Sequence, residues 1–120
     1  RNGTTKGIND DALAAYNAPF PNEDHKQGVR QFPNLVPATL RTPSAEPNKE
    51  AWNILRQWEK PFLCAFSDKD PIFAGVENSF LKLVPGCKDM PHVTIENAGH
   101  FLQEDQPEAC VDAILSIKEL

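Results

Sequence analysis

Pro61-Phe62-Leu63-Cys64-Ala65-Phe66-Ser67-Asp68-Lys69-Asp70-Pro71 and His92-Val93-Thr94-Ile95-Glu96-Asn97-Ala98-Gly99-His100 decide the fold. Each is a short apolar run that ends in a polar turn. Residues 62–66 are too few for a buried helix, so they read as a buried strand, and residues 92–96 read as a second one. Between them the spacing predicts a helix over 77–84, stopped by Pro85-Gly86. Ahead of the first strand, Ala51, Ile54, Leu55 and Trp58 recur at helical spacing over 50–58. After the second strand, a last helix begins near Pro107, with Cys110, Ala113, Ile114 and Ile117 on one stripe. The order helix–strand–helix–strand–helix implies parallel βαβ units and the α/β class. Two parallel strands cannot form a complete covered sheet, so the remaining strands are expected from a part of the protein N-terminal to Arg1.

Working outward, residues 1–47 differ in character from residues 48–120, and the two are read as separate domains. The first region holds six of the eleven prolines, from Pro19 to Pro47. Proline blocks helix interiors, so short helices joined by irregular loops are expected. Asn9 can cap a helix through Asp10 to Tyr16. A second helix is expected over 24–32, with Asn22 or Glu23 near its start, and residues 38–47 read as a linker.

Composition is that of a soluble globular protein, 40% hydrophobic and 24% charged. The formal net charge of −5 and the scattered lysines and arginines argue against a nucleic-acid partner. No apolar run approaches the ~18 residues of a membrane span, and no signal-peptide pattern is present. Cys64, Cys87 and Cys110 are odd in number and lack metal-ligand spacing, so no zinc site or disulfide framework is expected. Buried free thiols in a reducing, cytoplasmic compartment are the simpler reading.

In open α/β sheets the chemistry gathers beyond the carboxyl ends of the strands. Asp68 and Asp70 follow the first strand, and His100 follows the second. A carboxylate accepting from one imidazole nitrogen fixes the tautomer and leaves the other nitrogen basic. Either aspartate can fill that role on spacing alone. His25 and His92 have no such context and read as surface or packing residues. There is no G-x-S-x-G and no G-x-D-x-x-G, and Ser44, Ser67, Ser79 and Ser116 lack flanking glycines. A nucleophile is therefore expected upstream.

Asp70-Pro71, with Ala98-Gly99-His100-Phe101, resembles the closing segments of the α/β-hydrolase fold, where the acid precedes the histidine. Ala15-Tyr16-Asn17-Ala18-Pro19-Phe20-Pro21 and Gly28-Val29-Arg30-Gln31-Phe32-Pro33 look like the cap domain of haloalkane dehalogenases. Phe66-Ser67-Asp68-Lys69-Asp70-Pro71 and Gly99-His100-Phe101-Leu102-Gln103-Glu104-Asp105 resemble the same enzymes. The resemblance implies the later part of a helical cap over 1–47 and the C-terminal part of an α/β-hydrolase core over 48–120. It implies hydrolytic dehalogenation through an alkyl–enzyme ester formed by an upstream aspartate. By position, Asp70 matches the orienting acid and His100 the general base. Phe32, Pro33, Val36, Ile72 and Phe73 match residues that line the substrate pocket. No cofactor and no metal are implied. The partners are a small halogenated alkane, water and the N-terminal part of the same protein. Trp52 and Trp58 fall on the helix before the first strand and read as packing, not as halide donors. Epoxide hydrolase is the nearest rival, weakened because Tyr16 is the only tyrosine. An inactive fragment or interaction module is the alternative of another class.

Overall fold

Ala65–Ser67 (β1) and Val93–Ile95 (β2) pair in parallel, with Ala65 opposite Val93 and Ser67 opposite Ile95. The computed structural model describes residues 3–117. Both strands are shorter than the apolar runs that predict them, and the hydrogen bonds show why. Pro61 has no N–H, the Phe62 amide donates to Gly86 O (3.0 Å), and the Cys64 amide donates to His92 Nδ1 (3.0 Å). The amides of Phe62 and Cys64 are thus taken by a loop and a side chain, while Cys64 O still accepts the Val93 amide (3.0 Å).

The connection between the strands carries Glu77–Leu83 (α4). Pro85-Gly86 ends it in a short 3₁₀ turn over Pro85–Cys87. Glycine is required there: a Cβ on Gly86 would sit 2.0 Å from Lys60 O. Phe62 stacks on Phe80 of α4 at 5.6 Å between ring centroids. After β2 come a helical turn that periodicity did not reveal, Leu102–Asp105 (α5), and Pro107–Ser116 (α6), with Pro107 in its first turn as expected. Ile95, Ala98 and Ala113 form the buried centre, joined by Leu63, Ala65, Leu102 and Ala109. Burying a side chain such as Ile95 contributes about 1.5–3 kcal/mol. On α6 only Ala113 is buried, while Ile114 of the expected stripe is exposed.

The chain divides into two compact units, Arg1–Ile8 with Arg56–Leu120, and Asn9–Leu55. In the second, Asn9 caps Asp10–Asn17 (α1), its side chain accepting from the Ala12 amide at 2.8 Å. The single helix expected over 24–32 is instead a 3₁₀ turn capped by Asn22 (Glu23–Lys26), then Gln27–Gln31 (α2), then a second 3₁₀ turn (Phe32–Leu35). Pro33 sits in the first turn of the last piece, where its missing N–H costs nothing.

Two expectations need correction. Residues 38–47 are not all linker, because Ala45–Leu55 (α3) begins inside that stretch. Pro47 is compatible with this, since it falls in the first turn of the helix. α3 also ends before Trp58, so its half-buried residues are Ala45, Trp52 and Leu55, while Ala51 and Ile54 are exposed. Trp58 is not a packing residue of that helix: it is 38% exposed, with Lys60 Nζ 5.7 Å from its ring centroid.

Candidate active site

The two turns beyond β1 and β2 are tied to each other before either reaches a titratable side chain of interest. The Asp68 amide donates to Ile95 O (3.2 Å) and the Lys69 amide to Ala98 O (3.0 Å). In return, the Ala98 amide donates to Asp68 Oδ1 (3.0 Å), and Lys69 Nζ donates to Asn97 Oδ1 (2.9 Å). Asn97 makes the turn in the left-handed region, φ 57°, a conformation that asparagine tolerates better than most residues. Two positions beyond this crosslink, Asp70 Oδ2 and His100 Nδ1 stand 3.0 Å apart.

Asp70 is buried, and its other oxygen, Oδ1, accepts the Ile72 amide at 2.8 Å. Burial pushes its carboxyl up, but the His100 hydrogen bond and the amides of Ile72 and Phe73 outweigh it and hold it below the usual range. Asp70 is therefore ionised at neutral pH and can only accept, so His100 Nδ1 carries the hydrogen. His100 Nε2 is left as the basic nitrogen. The ring is flanked by Phe73 at 5.4 Å and Phe101 at 5.3 Å between centroids. An imidazole so oriented can take a proton from water at Nε2.

Asp68 is held below the ordinary carboxyl range chiefly by the Ala98 amide. It acts as a brace between the turns and makes no contact with the imidazole among the interactions described. Ile72 is exposed and meets the site through its amide, whereas Phe73 lies against the His100 ring. Phe32, Pro33 and Val36 are exposed in the second unit, Phe32 and Pro33 on the 3₁₀ turn and Val36 at its end. His25 contacts Asn22 (2.7 Å), and His92 bridges the Cys64 amide and Cys87 O. Among the described residues no three of His, Cys, Asp and Glu are grouped to hold a metal ion.

No family model matches the chain. A haloalkane dehalogenase from Psychrobacter cryohalolentis is 50% identical over 108 residues, covering 90% of this chain and 36% of that protein. The chain belongs to the haloalkane dehalogenase family. Further haloalkane dehalogenases, from Mycolicibacterium paratuberculosis (40% identical) and Mycobacterium tuberculosis (38% identical), each cover 95% of the chain and 38% of the relative. The chain thus spans a little over a third of the length of these curated relatives. As a dehalogenase segment, it has the fold expected from its sequence, the C-terminal part of an α/β-hydrolase.

One group beside this pair escapes the sequence reading. Asp105 is 1% exposed, and its carboxylate accepts the amides of Thr5 (2.8 and 3.0 Å), Lys6 (3.1 Å) and Gly99 (2.8 Å). Burial raises its carboxyl, yet these donors bring it down to about 2. Next to Glu104 in a polar stretch it reads as a solvated charge, and no local pattern announces donors from the start of the chain.

Proposed function

We propose that this segment supplies the general base and its orienting acid to a haloalkane dehalogenase whose nucleophile lies upstream. The contact of Asp70 with His100, at the ends of two adjacent parallel strands in a chain of this family, carries the reading. An upstream aspartate attacks the carbon bearing the halogen, halide leaves with the bonding pair, and an alkyl ester forms. His100 Nε2 then takes a proton from water as its oxygen adds to the ester carbonyl. Collapse of the adduct releases the alcohol and restores the carboxylate, and the imidazolium returns its proton to solvent. Asp70 holds the tautomer and stabilises the imidazolium.

Under the same reading, residues 1–47 are the later part of a helical cap. Within the core, Ile72 and Phe73 are read as pocket wall beside His100; within the cap, Phe32, Pro33 and Val36 are read as substrate-lining residues. The free thiols Cys64, Cys87 and Cys110 fit a reducing, cytoplasmic setting. No helix among the described residues is long and apolar enough to cross a membrane.

The deciding experiment is His100→Phe in the protein that joins this segment to its nucleophile. Halide should appear once per enzyme and then stop, with the alkyl ester detectable by intact mass, because only the hydrolytic step needs the base. Sustained turnover by the variant at the parent rate would remove His100 from the mechanism. Activity on epoxides with none on haloalkanes would favour the nearest rival.

A further inference from the structure

We propose that Asp105, acting with the strap formed by Gly3–Lys6, is a positioning residue for His100. This rests on the reading of His100 as the general base. The strap holds the backbone on both sides of the histidine. On the near side, the Gly99 amide donates to Asp105 Oδ2 at 2.8 Å. On the far side, the Phe101 amide donates to Gly3 O at 2.7 Å. Thr5 Oγ1 adds a bond to Asn97 O (2.9 Å), and Lys6 Nζ donates to Asp105 O (2.7 Å). The amides of Thr5 and Lys6 close the circuit on the Asp105 carboxylate.

The approach is close. A Cβ on Gly99 would lie 2.8 Å from Gly3 O, so the strap leaves no room for a side chain before His100. The imidazole itself is 29% exposed. Packing therefore encloses only part of the ring, and the position of Nε2 depends on the backbone from Gly99 to Phe101. Amide donors on an ionised carboxylate are among the stronger hydrogen bonds, and a buried carboxylate without them is costly. The carboxyl stays ionised down to about pH 2, so the clamp does not itself titrate where the enzyme works.

The test uses the protein that joins this segment to its nucleophile and separates the first halide burst from steady turnover. Asp105→Asn presents one acceptor oxygen where two served. Its burst amplitude per folded molecule should be kept, while the hydrolytic phase slows by roughly 10- to 100-fold, the scale of a misplaced catalytic group. Asp105→Glu should recover most of that rate. Thr5→Ala, which removes the side-chain bonds to Asn97 O and Asp105 but keeps the Thr5 amide on the carboxylate, should slow the same phase to a smaller degree. A merely structural role would instead lower burst and turnover together, in proportion to the folded fraction. A hydrolytic phase at the parent rate in Asp105→Asn overturns the proposal. If that variant does not fold, an unchanged phase in Thr5→Ala overturns it. If the parent protein releases no halide, the dehalogenase reading fails instead. The Nδ1–H proton resonance of His100 then decides: a shift or loss in Asp105→Asn and Thr5→Ala supports positioning, and an unchanged resonance rejects it.

Discussion

Asp68 Oδ1 accepts the Ala98 amide at 3.0 Å, across 30 positions of sequence, and Asp70 meets His100 across the same 30 positions. In the strands the offset differs, since Ala65 faces Val93. The second turn therefore carries two extra residues, absorbed where Asn97 adopts φ 57°. Asp68 fixes this new register two positions before Asp70 and His100 meet. It braces the two turns, while Asp70 contacts the imidazole.

That division predicts different costs for the two carboxylates. In the protein that joins this segment to its nucleophile, Asp70→Asn should lower steady halide release by on the order of 10⁴, because an amide can present its N–H₂ and favour the wrong tautomer. Asp68→Asn keeps an oxygen for the Ala98 amide and should cost far less, whereas Asp68→Ala removes the brace and should cost more than Asp68→Asn. Steady-state rates at matched folded fraction check the order. A severe loss confined to Asp68→Asn would reverse the assignment.

Acid stability should follow Asp105 and Asp70. Both carboxyls are lowered in the folded chain, Asp105 from 3.8 to about 2. A lowered folded value means that the unfolded chain binds more protons between the two values. The stabilisation is thus present above the unfolded value, near pH 4, and is lost as pH falls toward 2. Urea midpoints measured across this window should fall with pH, and the fall should be shallower in Asp105→Asn. An equally steep decline in the variant would show that this carboxylate is not the linked group.

Much of this was readable from residue order. Asn9, Pro107 and the two apolar runs locate α1, α6, β1 and β2 through local chemistry, and the strand–turn pattern brings Asp70 and His100 to neighbouring strand ends. Three features were not readable, each because its cause is distant in sequence. The strands are short because His92, 28 positions away, takes the Cys64 amide. α3 begins at Ala45 because Pro47 falls in a first turn, which a count of prolines cannot reveal. Asp105 finds its donors 99 and 100 positions upstream, at Lys6 and Thr5, and nothing near it in the chain marks it as buried.

Thiol chemistry tests the packing behind β1. Burial, and then the neighbouring Cys87, push the Cys64 thiol up to about 11. The thiolate is the reactive form, so Cys64 should be nearly inert at pH 8 in the folded protein. Cys87 is equally enclosed, whereas Cys110 on α6 is half-buried. Iodoacetamide labelling followed by peptide mass analysis should mark Cys110 first, with Cys64 and Cys87 modified only on unfolding. Early labelling of Cys64 would mean that the region around β1 opens locally.

His92 offers the last test, because its imidazole stands in for a rung of the sheet. Nδ1 accepts the Cys64 amide at 3.0 Å, and Nε2 lies 2.8 Å from Cys87 O. An acceptor at Nδ1 requires the hydrogen on Nε2, so a single neutral tautomer satisfies both groups. His92→Ala strips a donor and an acceptor of their partner at once. Each group left unsatisfied in a buried setting costs about 1–3 kcal/mol, so the loss should be larger than that of an ordinary surface substitution, about 0.5 kcal/mol. His92→Gln is the informative contrast, since an amide can present an oxygen to one partner and N–H₂ to the other, and it should recover part of the loss. Urea denaturation of the three proteins at neutral pH measures this. Equal stability of parent and His92→Ala at neutral pH would show that the imidazole contributes no net support to the strand.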